Sequence, residues 1–129
     1  MTGSNHRVQY SRQVFLVLAW IYAICVVIQT LIAGMAVFNN YAFWEYHTTF
    51  AIWFQFIPIL MLILAFSGQL SKKIRWEVVV LFLLIVPLQY VSVHVPIIGA
   101  IHPVTPLILF WLILLIIKQA TRAGKKTNK

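Results

Sequence analysis

Three histidines, His47, His94 and His102, sit at the ends of long apolar runs in a chain with only four histidines. Imidazole is the commonest side-chain metal ligand and the usual axial ligand of haem iron, so their placement carries chemical content. Near them are Glu45, one of two carboxylates, and four uncharged polar residues inside apolar stretches: Gln29, Gln55, Gln89 and Ser92. A bis-histidine b-type haem needs two imidazoles from facing helices, aromatic walls, and donors for its propionates. Trp44, Phe50, Trp53, Phe54 and Tyr90 could form the walls; Gln29, Gln89, Ser92 and Thr105 could supply donors. A zinc or copper ion instead wants three or four ligands at about 2 Å, and His47, His94, His102 and Glu45 make such a set. The competing reading is an interfacial histidine, body on apolar surface and polar edge in water.

The elements that must position these groups are set by composition. The chain has 129 residues, 62% of them hydrophobic, and a mean hydropathy of +0.91. That is far more apolar than a soluble domain. Four apolar runs, roughly 14–38, 49–67, 78–98 and 104–117, each approach the roughly 20 residues that cross a bilayer. The fourth reaches that length if Lys118 extends to the headgroups and the helix continues. The first is too long for the apolar region of a signal peptide, so it is expected to be retained. Short connections favour antiparallel neighbours. The expectation is an all-α, up-down-up-down bundle of four transmembrane helices over 13–120, with a polar N-terminal tail at 1–12 and a basic C-terminal tail at 121–129. Pro58 and Pro87 fall mid-span and should kink their helices. Cys25 is the only cysteine and reads as a small packing residue.

The net charge of +8 does not point to nucleic acid, because its distribution is topological. Arg7 and Arg12 precede span 1, Lys72, Lys73 and Arg75 lie between spans 2 and 3, and Lys118, Arg122, Lys125, Lys126 and Lys129 follow the core of span 4. The stretches 39–48 and 99–103 contain no Lys or Arg. All ten basic residues thus fall on one side, which the positive-inside rule makes cytoplasmic, together with both termini. The C-terminal tail could also touch anionic lipid. Glu77, at the basic end of span 3, reads as a helix N-terminal acid favoured by the macrodipole.

With that topology, Gln29, Gln55 and Gln89 fall within roughly one helical turn of a common depth, slightly outward of the midplane. The three histidines lie above them. A polar side chain in hydrocarbon is costly unless paired, so this gradient points to a shared outward-facing pocket. Pro96 and Gly99 would break the chain and let His94 and His102 both turn into it. Polar glue between helices is the competing role for the glutamines. No carboxylate or lysine lies within a span, and no nucleotide-binding loop, hydrolase elbow, Cys-x-x-Cys or zinc-protease motif occurs.

The segments IQTLIAGMAVF at 28–38, EYH at 45–47, LQYVSVH at 88–94 and IHPVTPLILF at 101–110 resemble a family of small bacterial four-span membrane proteins classed as a domain of unknown function. The resemblance covers about residues 14–120. It rests on a Gln-x-x-x-Ala-Gly end to span 1, a histidine opening span 2, and a Leu-His-Pro-Val-Asn-like opening to span 4. The matching positions are Gln29, Ala33, Gly34, His47, Gln89, His94, His102 and Pro103, with Ile101 and Thr105 departing from the pattern. It implies the fold and brings no activity. The architecture also looks like that of four-helix b-type cytochromes of bacterial membranes.

The leading expectation is therefore a bacterial plasma-membrane protein holding b-type haem near the outer leaflet. It would serve electron transfer or haem handling, with a quinone or redox protein as partner. His47 is one ligand and His94 or His102 the other. Binding of zinc, copper or a small ligand by the same histidines is the alternative, and a non-catalytic interaction or assembly protein the third.

Overall fold

The computed structural model describes residues 2–127, with side chains over 6–124. Its elements are α1 (Thr2–Phe38), α2 (Phe43–Phe54), α3 (Ile57–Ser67), α4 (Lys72–Leu83), a π-helical turn (Leu84–Leu88), α5 (Gln89–His94), the short α6 (Pro96–Gly99) and α7 (Thr105–Thr127). No strand occurs among the described residues. Four stretches are long and apolar enough to cross a membrane: His6–Phe38, Phe43–Ser67, Lys72–His94 and Thr105–Gly124. The expected four-helix membrane bundle is the observed fold. α1 packs on α2, α3 and α7, and α4 packs on α3 and α7, so each span touches its sequence neighbours and span 4 closes back on span 1.

The packing follows a heptad stripe. On span 1, Phe15, Ala19, Tyr22, Val26 and Gln29 are buried at alternating steps of four and three, and Ala36 follows one heptad further on. Span 2 repeats the pattern with Phe54, Met61 and Ala65 and buried Pro58 and Gly68. A 3.5-residue repeat keeps one seam facing its neighbours in left-handed packing. The opposite faces expose Trp20, Leu31, Ile63, Leu107 and Trp111, as lipid-facing surfaces do.

Both mid-span prolines interrupt their helices by different routes. Pro58 cannot donate to Phe54, so span 2 breaks at Gln55–Phe56, and Ile59 bonds the Phe56 carbonyl at 3.1 Å instead. Pro87 is absorbed by the π-helical turn, whose extra residue accommodates the missing donor. Each interruption falls within one helical turn of a glutamine, Gln55 in span 2 and Gln89 in span 3.

Some boundaries differ from expectation. α1, at 37 residues, runs through the segment read as a polar tail. At 1.5 Å per residue it is about 55 Å long, well beyond the roughly 30 Å hydrocarbon core. Its emergent turn is tied down where Arg12 Nε donates to the Gly68 carbonyl at 2.7 Å. Gly68 permits this approach, because a Cβ there would lie 3.2 Å from Arg12 Cγ and 2.9 Å from the Leu64 carbonyl. α7 likewise runs on to Thr127. The side chains of Lys125, Lys126 and Lys129, on which the tail's lipid contact was expected, lie outside the described ones. Span 4 begins at Thr105, so Pro106, not Pro103, occupies its first turn, and His102 lies in the preceding turn. Glu77 is not in the first turn of α4; it receives Gln119 Nε2 on both oxygens at 2.8 Å, joining spans 3 and 4. The first-turn acid of this fold is Glu45, on α2.

Candidate functional site

Gln29 reaches the site because it continues the buried stripe of span 1; it is 8% exposed. Its Nε2 donates to the His47 carbonyl at 2.9 Å, linking spans 1 and 2. Its Oε1 is buried and has no partner. His47 lies seven residues before Phe54 and so shares the buried stripe of span 2. Its ring meets Trp44 edge-on, at 5.4 Å between centroids and 83°. His47 Nδ1 is also buried without a partner.

His102 arrives from the turn before α7. The α6 segment folds back against α5: a Cβ on Gly99 would lie 3.2 Å from the Ser92 carbonyl, so the close approach favours glycine. That fold-back carries His102 Nδ1 to 2.9 Å from Ser92 Oγ. Ser92 Oγ is 2.8 Å from the Gln89 carbonyl oxygen. Two oxygens at that distance need a proton between them, and only the serine can supply it. The hydroxyl therefore donates to Gln89, and His102 Nδ1–H donates to the hydroxyl. This network corresponds to the Nδ1–H tautomer, with the lone pair on His102 Nε2. Burial holds the His102 imidazole below its ordinary value, which keeps it neutral near pH 7.

The two imidazole rings lie 6.3 Å apart between centroids, at 57°. They share a cavity of about 70 Å³ with Gln29, Gln89, Phe54 and Pro106, closed by Val26, Ala51, Ile85 and Leu109. At about 30 Å³ per liquid water, it suits an ion with a water or two, or a very small molecule. Two nitrogens on one ion, each at about 2.0–2.1 Å, stand about 4 Å apart. Imidazoles whose nitrogens point at one another at a 6.3 Å centroid separation would leave a gap of that order.

The other expected residues lie elsewhere. His94 is exposed, its Nδ1 donating to the Tyr90 carbonyl at 2.7 Å and its ring stacked on Tyr90 at 4.3 Å. Gln55 is half-buried, one position past the stripe, and does not line the cavity. Glu45 is exposed on α2. The three-histidine set with Glu45 is thus not brought together: no group of three His, Cys, Asp or Glu able to hold an ion occurs among the described residues. Of the aromatic walls, Phe54 lines the cavity and Trp44 backs His47. Trp53 and Tyr90 are exposed.

Sequence reasoning did not name Pro106 or Ile85 as lining, nor the tilted ring contact of Tyr22 with Phe54 at 5.6 Å. Tyr22 is fully buried with its hydroxyl unpartnered. Its place seven residues before Gln29, on one helix face, was the available signal.

A protein-family profile described as "Family of unknown function (DUF6220)" matches residues 29–95. The matched stretch opens at Gln29 and contains His47, Gln89 and Ser92; His102 follows it. Comparison with curated proteins and with solved structures gives no match.

Proposed function

The chain belongs to the DUF6220 family, and we propose that it is a membrane protein binding one copper ion, in the monovalent state, between His47 and His102. The observation that carries this reading is the pair of imidazoles 6.3 Å apart that line one small cavity. Two buried polar atoms beside it, His47 Nδ1 and Gln29 Oε1, have no partner. Unpaired polar atoms in an apolar interior are costly and call for an occupant. Imidazole suits zinc, copper, iron and nickel. Catalytic zinc takes three protein ligands and structural zinc four, whereas monovalent copper is satisfied by two nitrogens in line. No carboxylate lines the cavity. Desolvating an ion without a counter-charge costs in proportion to the square of its charge, which favours a single charge.

A second reading, b-type haem held by the same two histidines, draws on the same ring separation, which also suits two axial imidazoles on one iron. Its requirement is volume. Pockets for organic ligands run to about 300–1,000 Å³, so the outer ends of spans 2 and 4 would have to part at the Pro58 break and at the turn before α7. In that reading the partner is a quinone or a redox protein. In both readings the basic ends and termini are cytoplasmic, and the cavity lies toward the outer face of a bacterial plasma membrane.

Anaerobic titration of the detergent-solubilised protein with monovalent copper, against a chromogenic chelator, tests the proposal. One copper per chain is expected, with binding lost in His47→Ala and in His102→Ala. Unchanged copper uptake by both variants would refute it. A haem absorption band that disappears in the same two variants would favour the second reading.

A further inference from the structure

At the end of the bundle away from the histidines, an open groove of about 440 Å³ runs between α3 and α4, lined by Leu62, Phe66, Lys72, Arg75, Trp76 and Val79. Its chemistry is two-part. Leu62, Phe66 and Val79 form an apolar floor on the flank that faces hydrocarbon, while Lys72 and Arg75 stand one turn apart at the mouth. Arg75 is held in place: its Nε donates to the Leu70 carbonyl at 2.9 Å. Its guanidinium lies over the Phe66 ring at 4.6 Å. That use of Nε leaves the terminal nitrogens for the paired hydrogen bonds a guanidinium makes to phosphate. The nearest acid, Glu77, is engaged by Gln119 and approached by Lys73 at 3.9 Å. No carboxylate lines the groove. Trp76 is exposed beside it, at the headgroup level tryptophan favours.

We propose that this groove binds one anionic phospholipid. An acyl chain lies along Leu62, Phe66 and Val79, and the phosphate sits between Lys72 and Arg75. The unbalanced positive charge selects an anionic lipid over a zwitterionic one, and the adjoining apolar floor selects a lipid over free phosphate. The proposal is independent of the histidine cavity.

Native mass spectrometry from nanodiscs of equimolar phosphatidylglycerol and phosphatidylcholine provides the test. The wild-type protein should retain one phosphatidylglycerol with a preference on the order of tenfold, as two basic side chains at an anionic surface imply. Lys72→Gln with Arg75→Gln should remove the preference, and Lys72→Gln alone, which leaves the Arg75 contacts intact, should reduce it several-fold. Lys125→Gln with Lys126→Gln should leave it unchanged. Equal retention of the two lipids by the wild type would overturn the proposal. So would a preference that survives the groove variants, or one abolished by the tail variant.

Discussion

Replacing Ser92 by Ala tests the site through a residue that would not touch the metal. Ser92 is 2% exposed, and its hydroxyl receives His102 Nδ1–H at 2.9 Å. In the metal-free variant the ring is free to turn and find water. In the metal-bound variant Nε2 is fixed on the ion, and Nδ1–H stays buried without an acceptor. An unsatisfied buried donor costs about 1–3 kcal/mol, or a loss of roughly 5- to 150-fold in affinity. Outer-shell partners of metal-bound histidines typically contribute about 10–100-fold. Ser92→Ala should therefore weaken monovalent copper binding by about 10- to 100-fold in the anaerobic chelator titration, with stoichiometry unchanged. Ser92→Thr, which keeps a hydroxyl, should recover much of the loss. Wild-type affinity in Ser92→Ala would refute the role given to this hydrogen bond.

His94→Ala should leave copper affinity within roughly twofold in that titration, because His94 is exposed and bonded to its own helix. The lowered value of His102 means that, through the ordinary histidine range, the unfolded chain takes up a proton that the folded protein refuses. Stability should thus fall as pH falls through that range. Thermal unfolding in detergent at about pH 7.5 and about pH 5.5 should show a smaller acid loss in His102→Asn than in wild type, and an equal loss would contradict the assignment. A cysteine at Asn40 should react with an impermeant thiol reagent in intact cells, and one at Lys126 only after lysis; the reverse pattern would invert the topology.

The four spans were legible because length and apolarity decide them, and the bundle because short connections leave few alternatives. The pocket was legible in part, since depth and face are separate coordinates and depth alone was followed for the glutamines. Phe54, not Gln55, lies seven residues from His47, and Gln55 shares a face with Thr48 instead. The spacing already set Gln55 apart from the histidine. The choice between His94 and His102 was half-legible. Ser92 falls seven residues after the buried Ile85, and His94, two positions further, is turned roughly 200° away from it. That Ser92 would capture His102 was not legible, since it depends on how α6 folds back and on Gly99 touching the Ser92 carbonyl. The long-range pairing of Glu77 with Gln119 was hidden because both lie near the basic end, where charge reads as topology.

The most direct test of the central claim is the metal content of the full-length protein purified from its native membrane without chelators, beside the His47→Ala, His102→Ala double variant. The account predicts close to one copper per wild-type chain and none in the double variant. Wild-type protein without stoichiometric copper, or a double variant that keeps it, would contradict the assignment of His47 and His102 as the ligands.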